Sequence, residues 1–255
     1  MMNRYASGFF SSIPVVTKNL IIINVLCWIA SLVFQRNHID LFRLFALHYP
    51  ASEDFNLIQF VSYMFLHDTR SFGHLFFNMF GVYMFGRVLE SVWGGKRFLL
   101  YYMVTGVGAA LVNLLVAYIR IRSLESSLSP DLIEEVYLHG GNVIREGKNY
   151  VEPVMWSLNN LINGSTVGAS GAVFGILLAF GMLFPNVPLY IMFIPVPVKA
   201  KYFVIGYGLI ELFFGFADFS GDNVAHFAHL GGMIFGFILI YYWKKKDAGD
   251  GEYFY

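Results

Sequence analysis

The chain has 255 residues, of which 57% are hydrophobic and only 13% are charged, far fewer charges than the surface of a soluble domain of this length requires. A formal net charge of zero gives no reason to expect a nucleic-acid partner. Cys27 is the only cysteine in the sequence, which excludes an intramolecular disulfide. We therefore expect one membrane domain surrounded by a lipid bilayer.

Six stretches approach the roughly 17–25 mainly apolar residues that a transmembrane helix needs. They cover residues 16–34, 75–93, 98–119, 167–184, 202–219 and 227–243. The second stretch contains Arg87 and Glu90, which the i,i+3 spacing predicts to pair on one helix face. The fifth contains Glu211 and Asp218 and is the weakest, although a polar turn at 220–223 marks its end. The sequence thus predicts an all-α membrane protein, a bundle of six transmembrane helices.

An even number of spans places both termini on one side of the membrane. Cationic residues concentrate near the helix ends and in the short loops of that side, most densely at residues 244–246, and such cations favour the cytoplasm. Residues 1–18 and 244–255 are thus predicted to be cytoplasmic segments that flank a membrane domain at 19–243. The N-terminal segment has no cleavable signal pattern, so we expect the first span to be retained.

Two long segments then lie on the opposite, non-cytoplasmic side. Residues 35–73 are rich in aromatic side chains, which predicts an amphipathic structure in the membrane interface. Residues 120–166 are polar, and Ser129 followed by Pro130 predicts the start of a helix within them. Gly140 and Gly141 predict the end of that helix.

Polar side chains gather at three points where a predicted span begins on the non-cytoplasmic side. These are His74 with Asn78, the run from Gly168 to Gly171, and the run from Ala225 to Gly232. Polar groups are costly in hydrocarbon and are usually functional there. Because the three clusters lie at a similar depth on the same side, we expect them to meet in one site.

Ser170 is the candidate nucleophile of this site. Gly168 and Gly171 allow the backbone to approach a substrate closely, and a helix N-terminus here offers unpaired N–H groups to an oxyanion. The alternative is a small residue used for helix capping or close packing. The nucleophile elbow of soluble hydrolases does not fit, since position 172 is alanine and no strand precedes it.

His229 is the candidate base, although an intramembrane histidine can equally serve as a helix–helix hydrogen bond. Glycines three and seven residues after it form a surface that lets another helix come close, and Gly171 and Gly175 give the fourth span a matching surface. Packing these surfaces together would bring Ser170 within hydrogen-bond reach of His229 and make a Ser–His dyad. His226 is a rival base, but it has no glycine three residues later.

His74 and Asn78 lie four residues apart and therefore share one helix face. They could donate hydrogen bonds to a developing oxyanion, or they could simply bridge two helices. His67 is close in sequence but lies in a loop, where we expect a structural role.

Together these motifs resemble those of the rhomboid intramembrane serine proteases in their basic six-helix bacterial form. The matching motifs are His74-x-x-x-Asn78, Gly168-x-Ser170-Gly171 and Ala228-His229-Leu230-Gly231-Gly232, followed by Gly236. The segment from Gly86 to Arg97 is also similar, and the likeness extends from about Asn19 to Trp243. Each motif alone is weak, but the three in this order, each at the start of its span, are highly specific.

The resemblance implies a rhomboid-like bundle of six helices and a serine endopeptidase that hydrolyses peptide bonds in or near transmembrane segments. It implies Ser170 and His229 as the catalytic dyad and His74, Asn78 and Gly168 as the oxyanion site, without metal or cofactor. Its partners would be single-span or other membrane-protein substrates. Its location would be the bacterial inner membrane, as a multi-pass protein with both termini cytoplasmic.

The sequence departs from the family pattern at three places. Ile58 and Gln59 stand where members often carry Trp-Arg, and the segment 120–166 is longer than in compact members. Phe174 replaces a tyrosine that often stacks on the histidine of the dyad; a phenylalanine can still stack but cannot donate a hydrogen bond. These differences bear on loop structure and substrate choice rather than on the reaction.

Three other classes of function remain open. A catalytically inactive relative could act as a membrane chaperone or adaptor, although such relatives usually lack the serine or the histidine. A transporter or proton relay could use His74, Glu211 and His229, but no inverted repeat is evident. A zinc peptidase could use His226, His229 and His74, but the sequence lacks the glutamate of the H-E-x-x-H motif.

Overall fold

The computed structural model describes residues 13–190, 196–217 and 225–249, and helices dominate all three ranges. The long helices are α1 (Val15–Arg36), α4 (Phe72–Gly81), α5 (Arg87–Trp93), α6 (Gly95–Glu125), α7 (Pro130–Arg145), α8 (Pro153–Asn163), α9 (Ser170–Leu183), α10 (Ala200–Ala217) and α11 (His226–Gly249). The short elements are α2 (Leu41–Phe45), α3 (Gln59–Ser62), β1 (Leu47–His48), β2 (Ser165–Thr166), β3 (Pro188–Leu189) and β4 (Val198–Lys199). Asp218, the turn at 220–223 and residues 1–12 lie outside the described ranges.

A helix occupies the described part of each of the six predicted spans. Four of these helices, α1, α6, α10 and α11, are long and apolar enough to cross a membrane. The fourth predicted span is the shorter apolar helix α9. The second is built from α4, a π-helical turn at Val82–Gly86 and α5, which follow one another without a break.

The predicted pair of Arg87 and Glu90 is wrong. Glu90 is buried, and its carboxylate accepts the backbone N–H groups of Val16 (2.9 Å) and Thr17 (2.7 Å) together with the Thr17 hydroxyl (2.7 Å). The first N–H groups of a helix have no partner within it, and a negative charge there also complements the helix dipole. Glu90 therefore fixes the start of α1 against α5, while Arg87 donates to the Tyr83 hydroxyl.

The centre of the bundle is formed by α6, α9 and α11, each of which packs against the other two. The expected glycine contact between α9 and α11 is made by Gly171 and Gly232, which are so close that a Cβ on Gly232 would overlap the Gly171 backbone. The other two glycines of the predicted surface do not meet, because Gly175 packs on Thr105 of α6 and Gly236 faces Tyr101 of α6. This three-helix contact holds the first turns of α9 and α11 side by side.

Segment 35–73 is tied down by the side chain of Gln59, which is fully buried. Its amide donates to the carbonyls of Asp54 (2.7 Å) and Leu44 (3.3 Å), and its oxygen accepts the N–H of His48 (3.2 Å). The strand β1 within the segment pairs antiparallel with β2, which directly precedes α9. Gln59, one of the departures from the family pattern, thus stabilises the segment whose strand β1 pairs with β2, just before α9.

Segment 120–166 differs from its prediction in three ways. Helix α6 continues to Glu125, so the segment begins as helix rather than loop, and α8 was not predicted at all. Helix α7 begins at Pro130 as expected, but it runs through Gly140 and Gly141 and ends at Arg145. Gly140 does not stop the helix because it serves close packing: a Cβ there would overlap the side chain of Asn159 on α8.

The last helix extends past the predicted domain boundary at 243. Its described residues continue to Gly249, and Nη2 of Arg97 on α6 donates to both carboxylate oxygens of Asp247, at distances of 2.8 and 2.9 Å. Residues 244–249 are therefore part of the last helix, not a separate tail.

Candidate active site

The first turns of α4, α9 and α11 meet at a cavity of about 2860 Å³. Its walls also include α10 and the α8 side of segment 120–166. All three polar clusters of the sequence contribute to its lining, with His74, Asn78, Gly168, Ser170 and His229 among the residues exposed to it. The fold therefore brings the three clusters together at one cavity.

Ser170 is the first residue of α9, and its hydroxyl lies 2.8 Å from Nε2 of His229. The unpaired N–H groups and positive dipole end of α9 lie beside this hydroxyl. A serine hydroxyl that donates to an imidazole can lose its proton as it attacks an electrophile. The pair therefore has the geometry of a nucleophile and its base.

His229 lies in the first turn of α11 and is only 8% exposed. Phe174 of α9, four residues after Ser170, stacks on its ring with a centroid distance of 4.3 Å and an interplanar angle of 8°. Phe174 thus makes the stacking contact expected of it without donating a hydrogen bond. The stack fixes the plane of the imidazole but not which of its nitrogens carries the proton.

Glu211 supplies the partner of the other ring nitrogen, and the sequence analysis missed this contact. The carboxylate is buried on α10, and its Oε2 lies 2.8 Å from Nδ1 of His229 and 2.6 Å from Nδ1 of His226. The sequence feature that points to this contact is an acidic residue inside an apolar span, because such residues are usually functional. Sequence alone connected Glu211 only with a proton relay.

His74 presents a nitrogen to the space beside Ser170. Its Nδ1 accepts the backbone N–H of Asp68 (3.3 Å), so a neutral ring carries its proton on Nε2. That Nε2 lies only 2.8 Å from where a Cβ on Gly168 would stand, on the approach to Ser170. His74 can therefore donate a hydrogen bond toward a group bound at Ser170.

Asn78 is buried one turn further along the same face of α4. Its amide nitrogen donates to the carbonyl of His74 (2.8 Å), which leaves one of its two N–H groups for another acceptor. His74 and Asn78 can therefore both donate toward Ser170, but one of the two N–H groups of Asn78 is already bonded to the carbonyl of His74 in the same helix.

Gly168 does not fit a role as an oxyanion donor, because its N–H already donates to the carbonyl of Tyr63 (3.0 Å). Its φ of +125° is a conformation that residues with a side chain rarely adopt. A Cβ at this position would also collide with the ring of His74. Gly168 therefore gives His74 room beside Ser170, and the N–H groups at the start of α9 are better placed as backbone donors.

His67 is completely buried behind His74, with a distance of 5.1 Å between the two ring centroids. Burial is the main cause that lowers the pKa of His67 to about 3, so the ring is neutral near pH 7. A neutral, buried ring in contact with His74 agrees with the structural role expected from the sequence.

The zinc set of His226, His229 and His74 does not assemble among the described residues. The cluster with metal-ligand chemistry is instead Glu211, His226 and His229, whose ligand atoms lie within 4.8 Å of one another. Ligands about 2.0–2.1 Å from a tetrahedral zinc ion would stand about 3.3 Å apart. The N–O distances of 2.6 and 2.8 Å are those of hydrogen bonds, so the cluster fits a hydrogen-bonded network better than a metal site.

Comparison with models of known protein families matches residues 54–246 to the family described as Rhomboid domain. The matched region contains every residue of the site described above and all helices from α3 to α10, together with most of α11. A search of curated proteins finds no match.

Proposed function

The chain belongs to the rhomboid family of integral membrane proteins, and we propose that it is an active serine endopeptidase that cleaves transmembrane segments of other membrane proteins. Members of the family are generally intramembrane serine proteases, but inactive members also exist. The observation that carries the proposal is the 2.8 Å hydrogen bond between Ser170 Oγ and His229 Nε2 at the wall of a large cavity.

In the proposed reaction the Ser170 hydroxyl attacks the carbonyl carbon of the scissile peptide bond while His229 Nε2 takes the hydroxyl proton. The resulting oxyanion accepts hydrogen bonds from His74 Nε2, from the free N–H of Asn78 and from the N–H groups at the start of α9. His229 then returns the proton to the leaving amine, and an acyl-enzyme remains on Ser170. Water activated by His229 hydrolyses the acyl-enzyme and restores both groups.

Substrate access is proposed to run between α4 and α10. Both helices line the cavity, with Phe77 and Phe80 on α4 and Tyr202 and Phe203 on α10. Aromatic and apolar walls suit a segment that arrives from lipid, whereas the polar floor suits the unwound peptide bond. The same proposal includes six spans, both termini in the cytoplasm, and a bacterial inner membrane as the location.

The proposed function predicts that helix-weakened spans are cut in preference to regular ones. A peptide bond in an uninterrupted helix is shielded by its own hydrogen bonds, so Gly or Pro near the outer face of a client should expose it. Purified wild-type protein in vesicles is expected to cut a single-span reporter with a Gly-Pro pair at least tenfold faster than one with a poly-Leu span. EDTA should leave the rate unchanged. Equal cutting of both reporters would contradict the preference.

Asn78→Ala is expected to slow cleavage of the same reporter but not abolish it. Loss of one oxyanion donor typically costs about 10²–10³ in rate, and the lower end applies here because one N–H of Asn78 holds the His74 carbonyl. The measurement is kcat for reporter cleavage, with Asn113→Ala as the matched control. Asn113 also lines the cavity, but it lies on α6 and donates to the Thr166 hydroxyl. If Asn78→Ala cleaved the reporter at the wild-type rate, Asn78 would be a packing residue and not an oxyanion donor.

A further inference from the structure

A buried carboxylate in a membrane bundle needs a compensating interaction, and Glu211 has two. It is 5% exposed on α10, and its Oε2 lies within hydrogen-bond distance of two histidines of α11, His226 and His229. An unpaired charge in such a place would strongly destabilise the fold, because it loses its hydration without gaining a partner. The chain keeps this costly group directly behind the proposed base, at the nitrogen that does not face Ser170.

The hydrogen bond to Glu211 decides the tautomer of His229. A carboxylate can only accept, so His229 must donate from Nδ1 and leave the lone pair on Nε2. Nε2 is the atom that lies 2.8 Å from the Ser170 hydroxyl, and it needs that lone pair to take the proton. The other described contacts of the ring do not select this tautomer, because Phe174 only stacks on it and the Ser170 hydroxyl can either donate to Nε2 or accept from it.

His226 shares the same carboxylate oxygen. Its Nδ1 lies 2.6 Å from Oε2, and its ring stacks on Phe214 of α10 with a centroid distance of 5.6 Å. Each hydrogen bond that Oε2 accepts from His226 reduces the negative charge that it offers to His229. His226 therefore holds the carboxylate in place but also weakens its pull on the base.

We propose that Glu211 is a positioning residue that completes a Ser170–His229–Glu211 triad, with His226 as a second donor that tunes its carboxylate. The inference rests on the proposed peptidase function, because it assigns a role behind the same base. As His229 takes up the proton of Ser170, its imidazolium gains the carboxylate as counter-charge. The chain would thus use a triad, where the sequence motifs alone indicated a dyad.

A purely structural role is the competing explanation, in which Glu211 only ties α10 to α11. The two roles differ in what they change: a helix tie affects thermal stability, whereas a triad carboxylate affects kcat and the pH profile. Glu90 offers a matched control because it is another buried glutamate that accepts three hydrogen bonds, far from Ser170 at the start of α1. Glu90→Gln should lower the thermal unfolding temperature and leave the pH profile unchanged.

The test compares Glu211→Gln, Glu211→Asp and Glu90→Gln in the full-length protein, by reporter cleavage and fluorophosphonate labelling across pH. Gln can donate to Nδ1 and so favours the wrong tautomer, as an amide does in soluble triads, where kcat falls by about 10⁴. Glu211→Gln is expected to lower kcat by about 10³–10⁴ with KM changed by less than threefold. Glu211→Asp, which keeps the charge, should recover at least tenfold of that loss.

The pH profile gives a signature that a structural tie would not. The titratable groups that face His229 or its carboxylate partner are Glu211 and Tyr207 on α10, His74 on α4, and His226 on its own helix; of these, Tyr207 faces Glu211. Loss of the carboxylate removes the counter-charge of the imidazolium, so the acid limb of kcat/KM should move to lower pH in Glu211→Gln. In His226→Phe, which keeps the ring stack on Phe214, Oε2 of Glu211 accepts a hydrogen bond from His229 only. The acid limb of kcat/KM should then move to higher pH.

These outcomes separate the inference from the function on which it rests. Wild-type protein that neither cleaves nor labels would overturn the peptidase itself. Wild-type activity together with an unchanged rate and pH profile in Glu211→Gln would overturn the triad only. If Glu211→Gln does not fold, His226→Phe decides: a shift of the acid limb to higher pH supports the shared carboxylate, and an unshifted limb rejects it.

Discussion

Ser170→Ala is expected to lower cleavage of a single-span reporter by about 10⁶-fold and to abolish fluorophosphonate labelling. Removal of the nucleophile from a serine protease costs about this much, because the remaining site only binds and polarises the substrate. The Ser170 hydroxyl is also the group that His229 Nε2 contacts at 2.8 Å. The variant should keep the wild-type unfolding temperature, since the residue loses one oxygen at a cavity wall.

Ser157→Ala is the matched control for this experiment. Ser157 lies on α8 and lines the same cavity, but no step of the proposed reaction uses it. Its variant should therefore cleave and label like wild type. Labelling that persists in Ser170→Ala, at whatever residue, would show that the nucleophile lies elsewhere and would remove the central assignment.

His229→Ala is expected to abolish cleavage and labelling, whereas His226→Ala should retain both. The loss of a base that works as a unit with its nucleophile costs up to about 10⁶ in rate. His226 lies one turn earlier on α11, where its Nδ1 contacts Glu211 and its ring stacks on Phe214, whereas the Ser170 hydroxyl lies 2.8 Å from Nε2 of His229. We expect His226→Ala to lose less than tenfold in kcat, through weaker support of α10 against α11.

The same pair of variants can reject the assignment. Both histidines contact one carboxylate oxygen, so both changes disturb the local network to a similar extent. A difference of several orders of magnitude in rate must then come from the contact with Ser170. Labelling that survives in His229→Ala and disappears in His226→Ala would make His226 the base.

Several features of the site could be predicted from sequence because they are local or periodic. The lengths of the apolar runs place the helices, and the same-face spacing of His74 and Asn78 is found on α4. The motifs around Ser170 and His229 lie at the starts of α9 and α11, as the sequence predicts. Glycines that permit a close helix contact also carry their own signal, and Gly171 and Gly232 make the contact.

Other features depend on which helices become neighbours, and no local pattern specifies that. Glu90 was paired with Arg87 on its own helix, yet it caps α1 at a sequence separation of 73 and 74 residues. Gly140 and Gly141 carry the composition of a helix end, but packing against α8 makes them helix interior. No local pattern shows that the backbone carbonyl of Tyr63 accepts the N–H of Gly168, although this hydrogen bond leaves that N–H unable to serve an oxyanion.

The sequence by itself determined the family, the positions of the main helices and the motifs that contain Ser170 and His229, because each rests on a motif or an apolar run. Only the tertiary structure decided what stands behind the base. From sequence alone, an acidic residue in a span could belong to a proton relay, to a contact between two helices or to a catalytic triad. Which of these applies depends on the side chains of the helix that packs against it. Packing of α10 against α11 places Glu211 Oε2 2.8 Å from His229 Nδ1, and that contact is the basis of the proposed triad.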